Sequence, residues 1–262
     1  MAIWSRLFNS CDLYPLKFTL SNFILPKTVL SSVFVNYAAL WQNVINSDRL
    51  QNIFFRRKMN TQFNTIVTRC DEVVAKYSLL GHSFYQRWSA GTLPVAALRD
   101  YAGEYGLFIR TFGHNWETIG KPEFARREAV HAKVWDDTFA KSLGTSIDIP
   151  KVAEVAALIA TSQNLSSQRT SALGALYAIE SQQAIVAKAK LKGLSKHYSE
   201  LPEQCGEYFR LHSDDYDEVS ILVDEINKLT DKDREKALSA CETMSKALYN
   251  SLTGIEAPYL EE

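Results

Sequence analysis

Leu173-Gly174-Ala175-Leu176-Tyr177-Ala178-Ile179-Glu180-Ser181-Gln182 is the stretch on which the fold turns. Leu173, Leu176, Tyr177, Ala184 and Ala187 recur at three- and four-residue steps, which is the period of one helix face. Glu180 falls in the middle of that face. A carboxylate aimed into a core loses its hydration, so it must be protonated, paired or bound to a cation. The stretch therefore predicts a buried helix and asks what Glu180 meets inside.

The same period extends in both directions. Phe63, Ile66, Val67, Cys70, Val73, Val74 and Tyr77 mark one helix. Pro94 opens another, whose apolar face runs through Leu98, Tyr101, Tyr105, Phe108, Ile109 and Phe112. Gly103 and Gly106 lie inside it and cost about 1 kcal/mol each against Ala, unless a neighbour needs the space. Pro122 starts a helix that Gly144 ends, with Val134, Trp135 and Phe139 inward. Val152, Val155, Ala156 and Ile159 mark a further one. The Glu180 helix is expected to stop at Gly193. Pro202 begins the segment carrying His212, followed by helices around Ile221–Leu229 and Thr230–Thr253. No strand-like alternation longer than a few residues occurs. The pattern is an all-α bundle of seven or eight helices.

Bulk properties exclude several classes. The chain has 262 residues and a net charge of −1, which argues against a dedicated nucleic-acid binder. Cys11, Cys70, Cys205 and Cys241 are widely spaced, so neither a zinc knuckle nor a disulfide framework is expected. Cys70 and Cys241 read as core thiols in a reducing, cytoplasmic compartment. Residues 1–58 carry seven Lys/Arg against Asp12 and Asp48, while the rest of the chain is acidic. This segment reads as an N-terminal extension. It is a targeting arm, a membrane-surface segment, or upstream sequence before a start at Met59. Thr28–Ser47 is uncharged but contains Ser31, Ser32, Asn36, Gln42, Asn43 and Asn46, too polar for a firm membrane anchor.

Bundle cores hold iron or manganese sites built from Glu and His on facing helices. The candidate ligands here are His131, Glu180 and His212, with Asp215 and Asp217 as additions from the acidic run Asp214–Glu218. Each also has a plainer reading. His131 can be an exposed helix histidine, and His212 a helix-start residue. The acidic run can be a solvated first turn favoured by the helix dipole. Glu180 can pair with Tyr177, Tyr85, Lys188 or Lys190. His82 and His114 read as structural or capping residues.

Three blocks carry a family resemblance. His82-Ser83-Phe84-Tyr85-Gln86-Arg87-Trp88-Ser89-Ala90-Gly91-Thr92-Leu93, with Tyr101-Ala102-Gly103-Glu104-Tyr105, resembles the opening of the TenA/PqqC group of haem-oxygenase-like proteins. Ala175–Gln182 through Lys190 and Gly193-Leu194 looks like the glutamate helix of the CADD-like branch. Tyr208-Phe209-Arg210-Leu211-His212 matches its C-terminal histidine segment. The resemblance covers most of residues 60–255. It implies a haem-oxygenase-like helical domain over 59–262, a homodimer, and a central cavity with a two-metal, iron-type site. It also implies oxygen-dependent formation of 4-aminobenzoate from a tyrosine of the protein itself, with a nearby lysine implicated. By position, Tyr85 matches that tyrosine and Lys190 the lysine. His131, Glu180 and His212 match ligands.

The family ligands come as Glu-x6-His, then Glu, then His-x3-Asp-x2-His. Here Phe124 stands seven residues before His131, and Tyr216 and Val219 stand four and seven after His212. The expectation is therefore one iron or manganese ion rather than two. The alternative is a metal-free binding or interaction protein on a decayed scaffold, taking a small aromatic or pyrimidine-like ligand in a cavity lined by Tyr85, Tyr105, Tyr177 and Trp135.

Overall fold

A computed structural model of the chain describes residues 65–213 and 217–260. The extension at 1–58, Phe63, Asp214, Asp215 and Tyr216 lie outside the described residues. Among the described residues nine α-helices follow one another: α1 Thr65–Lys76, α2 Ser83–Ala90, α3 Val95–Thr118, α4 Pro122–Trp135, α5 Ala153–Leu165, α6 Arg169–His197, α7 Glu207–Leu211, α8 Glu218–Asn227 and α9 Asp231–Glu256. No strand occurs among the described residues. The count exceeds the seven or eight expected because α2 and α7, of eight and five residues, are too short to show a period. No helix among the described residues is long and apolar enough to cross a membrane.

The Glu180 helix, α6, is the hub. It packs on α9, α8, α2 and α3. Its approach to α9 depends on Gly174, where an added Cβ would lie 1.9 Å from the Ala237 carbonyl oxygen. Helix α6 does not stop at Gly193 but runs on to His197. Gly193 is buried under Trp88, and a Cβ there would sit 2.5 Å from the indole Cδ1. The glycine serves close packing rather than termination.

Helix α3 packs on α4 and α5. Gly106 makes room for the Trp135 indole, whose N–H donates to the Ala102 carbonyl at 2.8 Å. The Glu104 carboxylate, buried on α3, accepts from the backbone N–H groups of Lys151 and Val152 just before α5. After Trp135 the helix widens into a π turn, Asp136–Ala140, and both Trp135 and Phe139 are fully buried. Such wide turns inside helices recur beside functional sites.

His82 is structural, as expected: its Nδ1 accepts from the Phe84 N–H and caps α2. His114 is exposed beside Glu117. Cys70 and Cys241 are buried free thiols between α1 and α9.

Candidate metal centre

Helix α4 projects Glu128 and His131 from one face, three residues apart. Opposite them, at the end of α7, stands His212. The His131 and His212 rings meet edge to face, with centroids 4.4 Å apart. One ligand atom from each of Glu128, His131 and His212 lies within 4.8 Å of the others, and all three residues are buried. Ligands on one first-row ion are separated by up to about 4.2 Å, twice a bond of ~2.1 Å. The trio thus needs to contract by only a few tenths of an ångström.

The orientation of His212 is fixed from behind. Its Nδ1–H donates to the Tyr208 carbonyl at 2.8 Å, which leaves the Nε2 lone pair for the site. That Nε2 has no hydrogen-bond partner, and neither has His131 Nδ1. Burial lowers the His212 imidazole to about 4, so it is neutral near pH 7 and free to ligate. Buried polar atoms without partners are costly. Glu180 Oε1, near Glu128, is in the same condition. Two imidazole nitrogens and carboxylate oxygens around one space fit an iron or manganese ion.

Glu180 stands beside the trio rather than within it. Burial pushes its carboxyl well above the ordinary range, and the charges of Glu128 and Glu218 push it further. Arg127 and the Trp116 indole oppose that rise. The indole makes no formed hydrogen bond, since both its N–H and Glu180 Oε1 are without partners. Glu218 opens α8 as a buried acid paired with Arg127. Its neighbour Asp217 is exposed. The acidic run is therefore solvated at Asp217 and buried one residue later.

A cavity of about 20 Å3, room for one water, joins His212 to a second cluster. Tyr85, Tyr105, Gln182, Lys190 and Tyr208 line it. The Lys190 Nζ donates to the Tyr101 hydroxyl at 2.7 Å, and that hydroxyl lies 2.9 Å from the Tyr85 hydroxyl. The same nitrogen is 5.0 Å from the ring centroids of Tyr85, Tyr101 and Phe209. Burial lowers the Lys190 amine to about 7. Tyr85 and Tyr101 are driven up by burial and stay protonated.

The structure brings His131 and His212 together and places Glu180 next to them. Tyr85 and Lys190 share the adjoining cavity. Glu180 meets none of the partners its plainer reading allowed: Tyr177 donates to Asp71 at 2.5 Å, and Tyr85 and Lys190 both turn to Tyr101. Neither Tyr177 nor Trp135 lines the cavity. Sequence reasoning missed Glu128 as a candidate ligand and Glu218 as a buried acid. The signal for Glu128 was legible as Glu128-Ala129-Val130-His131, the Glu-x-x-His spacing of bundle metal sites. The search for Glu-x6-His led instead to Phe124. That ring stacks on Trp116, with centroids 4.6 Å apart.

No protein-family model matches the chain. The 4-aminobenzoate synthase of Chlamydia muridarum is 27% identical over 212 residues, spanning 72% of this chain and 89% of that protein. The 4-aminobenzoate synthase of Chlamydia pneumoniae is 30% identical over 165 residues, 55% of this chain and 73% of that protein. Among solved structures, a TenA homologue from Pseudomonas syringae pv. tomato superposes with a TM-score of 0.59 at 15% identity, covering 74% of this chain and 92% of that one. A CADD-like protein of unknown function from Nostoc punctiforme does so at 0.56 and 15%, covering 77% and 97%. The structures carry the fold, and the synthases carry the family. The chain therefore belongs to the family of these 4-aminobenzoate synthases, with the fold shared by the TenA homologue and the CADD-like protein.

Proposed function

We propose that this protein is an iron- or manganese-dependent redox enzyme that forms 4-aminobenzoate, or a closely related aromatic amine, from its own Tyr85. The observation that carries this reading is the convergence of Glu128, His131 and His212 beside Glu180, with His131 Nδ1, His212 Nε2 and Glu180 Oε1 making no hydrogen bond and Glu128 Oε1 3.4 Å from His131 Nδ1, next to the Tyr85–Tyr101–Lys190 chain. Glu128, His131 and His212 would hold the ion, with Glu180 as the adjacent carboxylate. A bound ion of this type supplies redox chemistry with dioxygen.

The chain's own residues set the rest. Tyr101 orients the Lys190 amine through its hydroxyl. An amine lowered to about 7 is neutral in a large share of molecules near neutral pH, so its nitrogen lone pair is available. The Tyr85 ring is held by the Tyr101 hydroxyl, and its own hydroxyl stays protonated because burial opposes the phenolate. The rings of Tyr85, Tyr101 and Phe209 around Lys190, and its burial, keep bulk water from the amine.

The test is to load purified protein with Fe(II), add dioxygen and a reductant, and measure bound metal, 4-aminobenzoate and the mass of the chain. The expected result is product accompanied by a mass change at Tyr85, abolished in Tyr85→Phe with metal binding intact. Metal-loaded protein that makes no aromatic amine and leaves Tyr85 unchanged sinks the reading.

Phe124 favours a second reading. It is packed against Trp116 where a ligand was expected, as a scaffold that has lost its chemistry would have it. A metal-free binding protein of this kind would take a small aromatic ligand only after the cavity of about 20 Å3 opens. Thermal-shift screening of metal-free protein with aromatic amines and pyrimidines separates the two, because only the second gives metal-independent stabilisation.

A further inference from the structure

Three carboxylates are buried around one space: Glu128, Glu180 and Glu218. Buried charges must be balanced locally, because the interior screens them poorly. One divalent ion at Glu128, His131 and His212 leaves one negative charge over. Arg127 supplies the missing positive charge. Its guanidinium pairs with Glu218 and opposes the charge on Glu180. It is held from behind by the Phe124 ring, 4.5 Å from the guanidinium carbon. Phe124 in turn stacks on the fully buried Trp116. Trp116, Phe124, Arg127 and Glu218 thus form one clamp, which fixes a cation beside the pocket. The pocket is more than an acidic cluster, since His131 Nδ1, His212 Nε2 and Glu180 Oε1 are buried and unpartnered.

We propose that Arg127 is a built-in cation filling the second cation position of this pocket, so that the site takes one divalent metal ion and becomes a two-ion site when the guanidinium is removed. The inference rests on the metal-binding reading above. It assigns Phe124 a role, too: the ring standing where a carboxylate ligand was expected holds the arginine that makes a second ion unnecessary. A second divalent ion beside the guanidinium would leave an excess of positive charge at the pocket, which disfavours its binding.

The test uses the full chain stripped of metal and titrated with Mn(II), read by calorimetry and electron paramagnetic resonance. Wild type should bind one equivalent with the signal of an isolated ion. Arg127→Gln should bind two, with the spin-coupled signal of a pair, because Glu218 and Glu180 are then free to ligate. Wild type binding two equivalents, or Arg127→Gln binding one, overturns the role of Arg127 while leaving the metal reading intact. Wild type binding none overturns both. Should Arg127→Gln fail to fold, the charge-neutral double substitution Arg127→Gln, Glu218→Gln decides. One equivalent bound within about threefold of wild-type affinity supports the proposal. A loss of the order of tenfold or more makes Glu218 part of the first ion's site and overturns it.

Discussion

The Lys190 amine reaches the Tyr101 hydroxyl at 2.7 Å, and burial rather than an acid sets its charge. The amine is free to change charge near neutrality because, among the described residues, no carboxylate pins it as a cation. An arginine there would stay charged at any accessible pH.

That arrangement has a cost in stability with a definite sign. The folded-state amine titrates at about 7, against 10.5 when exposed. Below pH 7 both folded and unfolded chains carry the proton, and the penalty for burying it is fully present. Between pH 7 and about 10.5 the unfolded chain binds more protons, so stability rises with pH through that window. Lys190→Met removes the charge. At pH 6 it should be more stable than wild type by about 1–4 kcal/mol, narrowing to little by pH 10. Urea unfolding of both proteins at pH 6, 8 and 10 measures this. A difference independent of pH means the amine is not desolvated as described.

Glu180 carries a second cost of the same origin and opposite direction in pH. Its carboxyl is raised, so the folded chain holds a proton that the unfolded chain has lost above about pH 4.5. The penalty is absent below that pH and grows as pH rises. Metal-free Glu180→Gln should therefore be more stable than metal-free wild type at pH 7 by about 1–3 kcal/mol. Adding Mn(II) should reverse the order, because the carboxylate then has a cation. Melting temperatures with and without a chelator test both halves. An unchanged order on adding metal removes Glu180 from the centre.

Much of this architecture was legible before any coordinates. Leu173, Leu176 and Tyr177 gave α6 its buried face, and Glu180 was conspicuous because a lone acid interrupts that face. Glu128 was hidden for the opposite reason. It lies among Arg126, Arg127 and Lys133, where an acid reads as one more solvated charge. Only the arrival of His212 from α7 shows that this side of α4 is closed to water. Gly193 misled because a glycine near a helix end and one beneath an indole look alike in sequence. Trp88 tells them apart, and it lies over a hundred residues away. Asp217 and Glu218 are adjacent, and a first turn rotates neighbours by about 100°, so one is exposed and the other buried.

The trio itself predicts a graded response. Glu128→Gln and His131→Ala should each lower Mn(II) affinity by at least about 10–100-fold. Asp217→Asn should leave it unchanged, because that side chain is exposed at the start of α8. Equilibrium dialysis against Mn(II) ranks the three. Equal losses in Glu128→Gln and Asp217→Asn would mean that the acidic run, not the Glu-x-x-His face, supplies the carboxylate.

The tightest constraint on the whole centre is far from it, where α6 crosses α9. An alanine at Gly174 would place its Cβ 1.9 Å from the Ala237 carbonyl oxygen and 3.0 Å from the Cys241 backbone nitrogen. These are backbone atoms, so no side-chain rotation relieves the clash, and the two helices must separate. Overpacking of this kind costs about 1–3 kcal/mol and more when the backbone cannot yield. Helix α6 also carries Glu180 and Lys190, so the displacement moves the acid away from α4 and the amine away from Tyr101. Gly174→Ala should therefore unfold at lower urea than wild type and bind Mn(II) more weakly. Gly120→Ala is a control of another kind: no atom lies within 4 Å of its Cβ, and its strain comes from a φ of +79° alone. It should lose stability through backbone strain of about 1–2 kcal/mol with Mn(II) affinity unchanged. If both variants lose metal affinity equally, general destabilisation explains the loss. If only Gly174→Ala does, the spacing between α6 and α9 is what holds Glu180 at the centre.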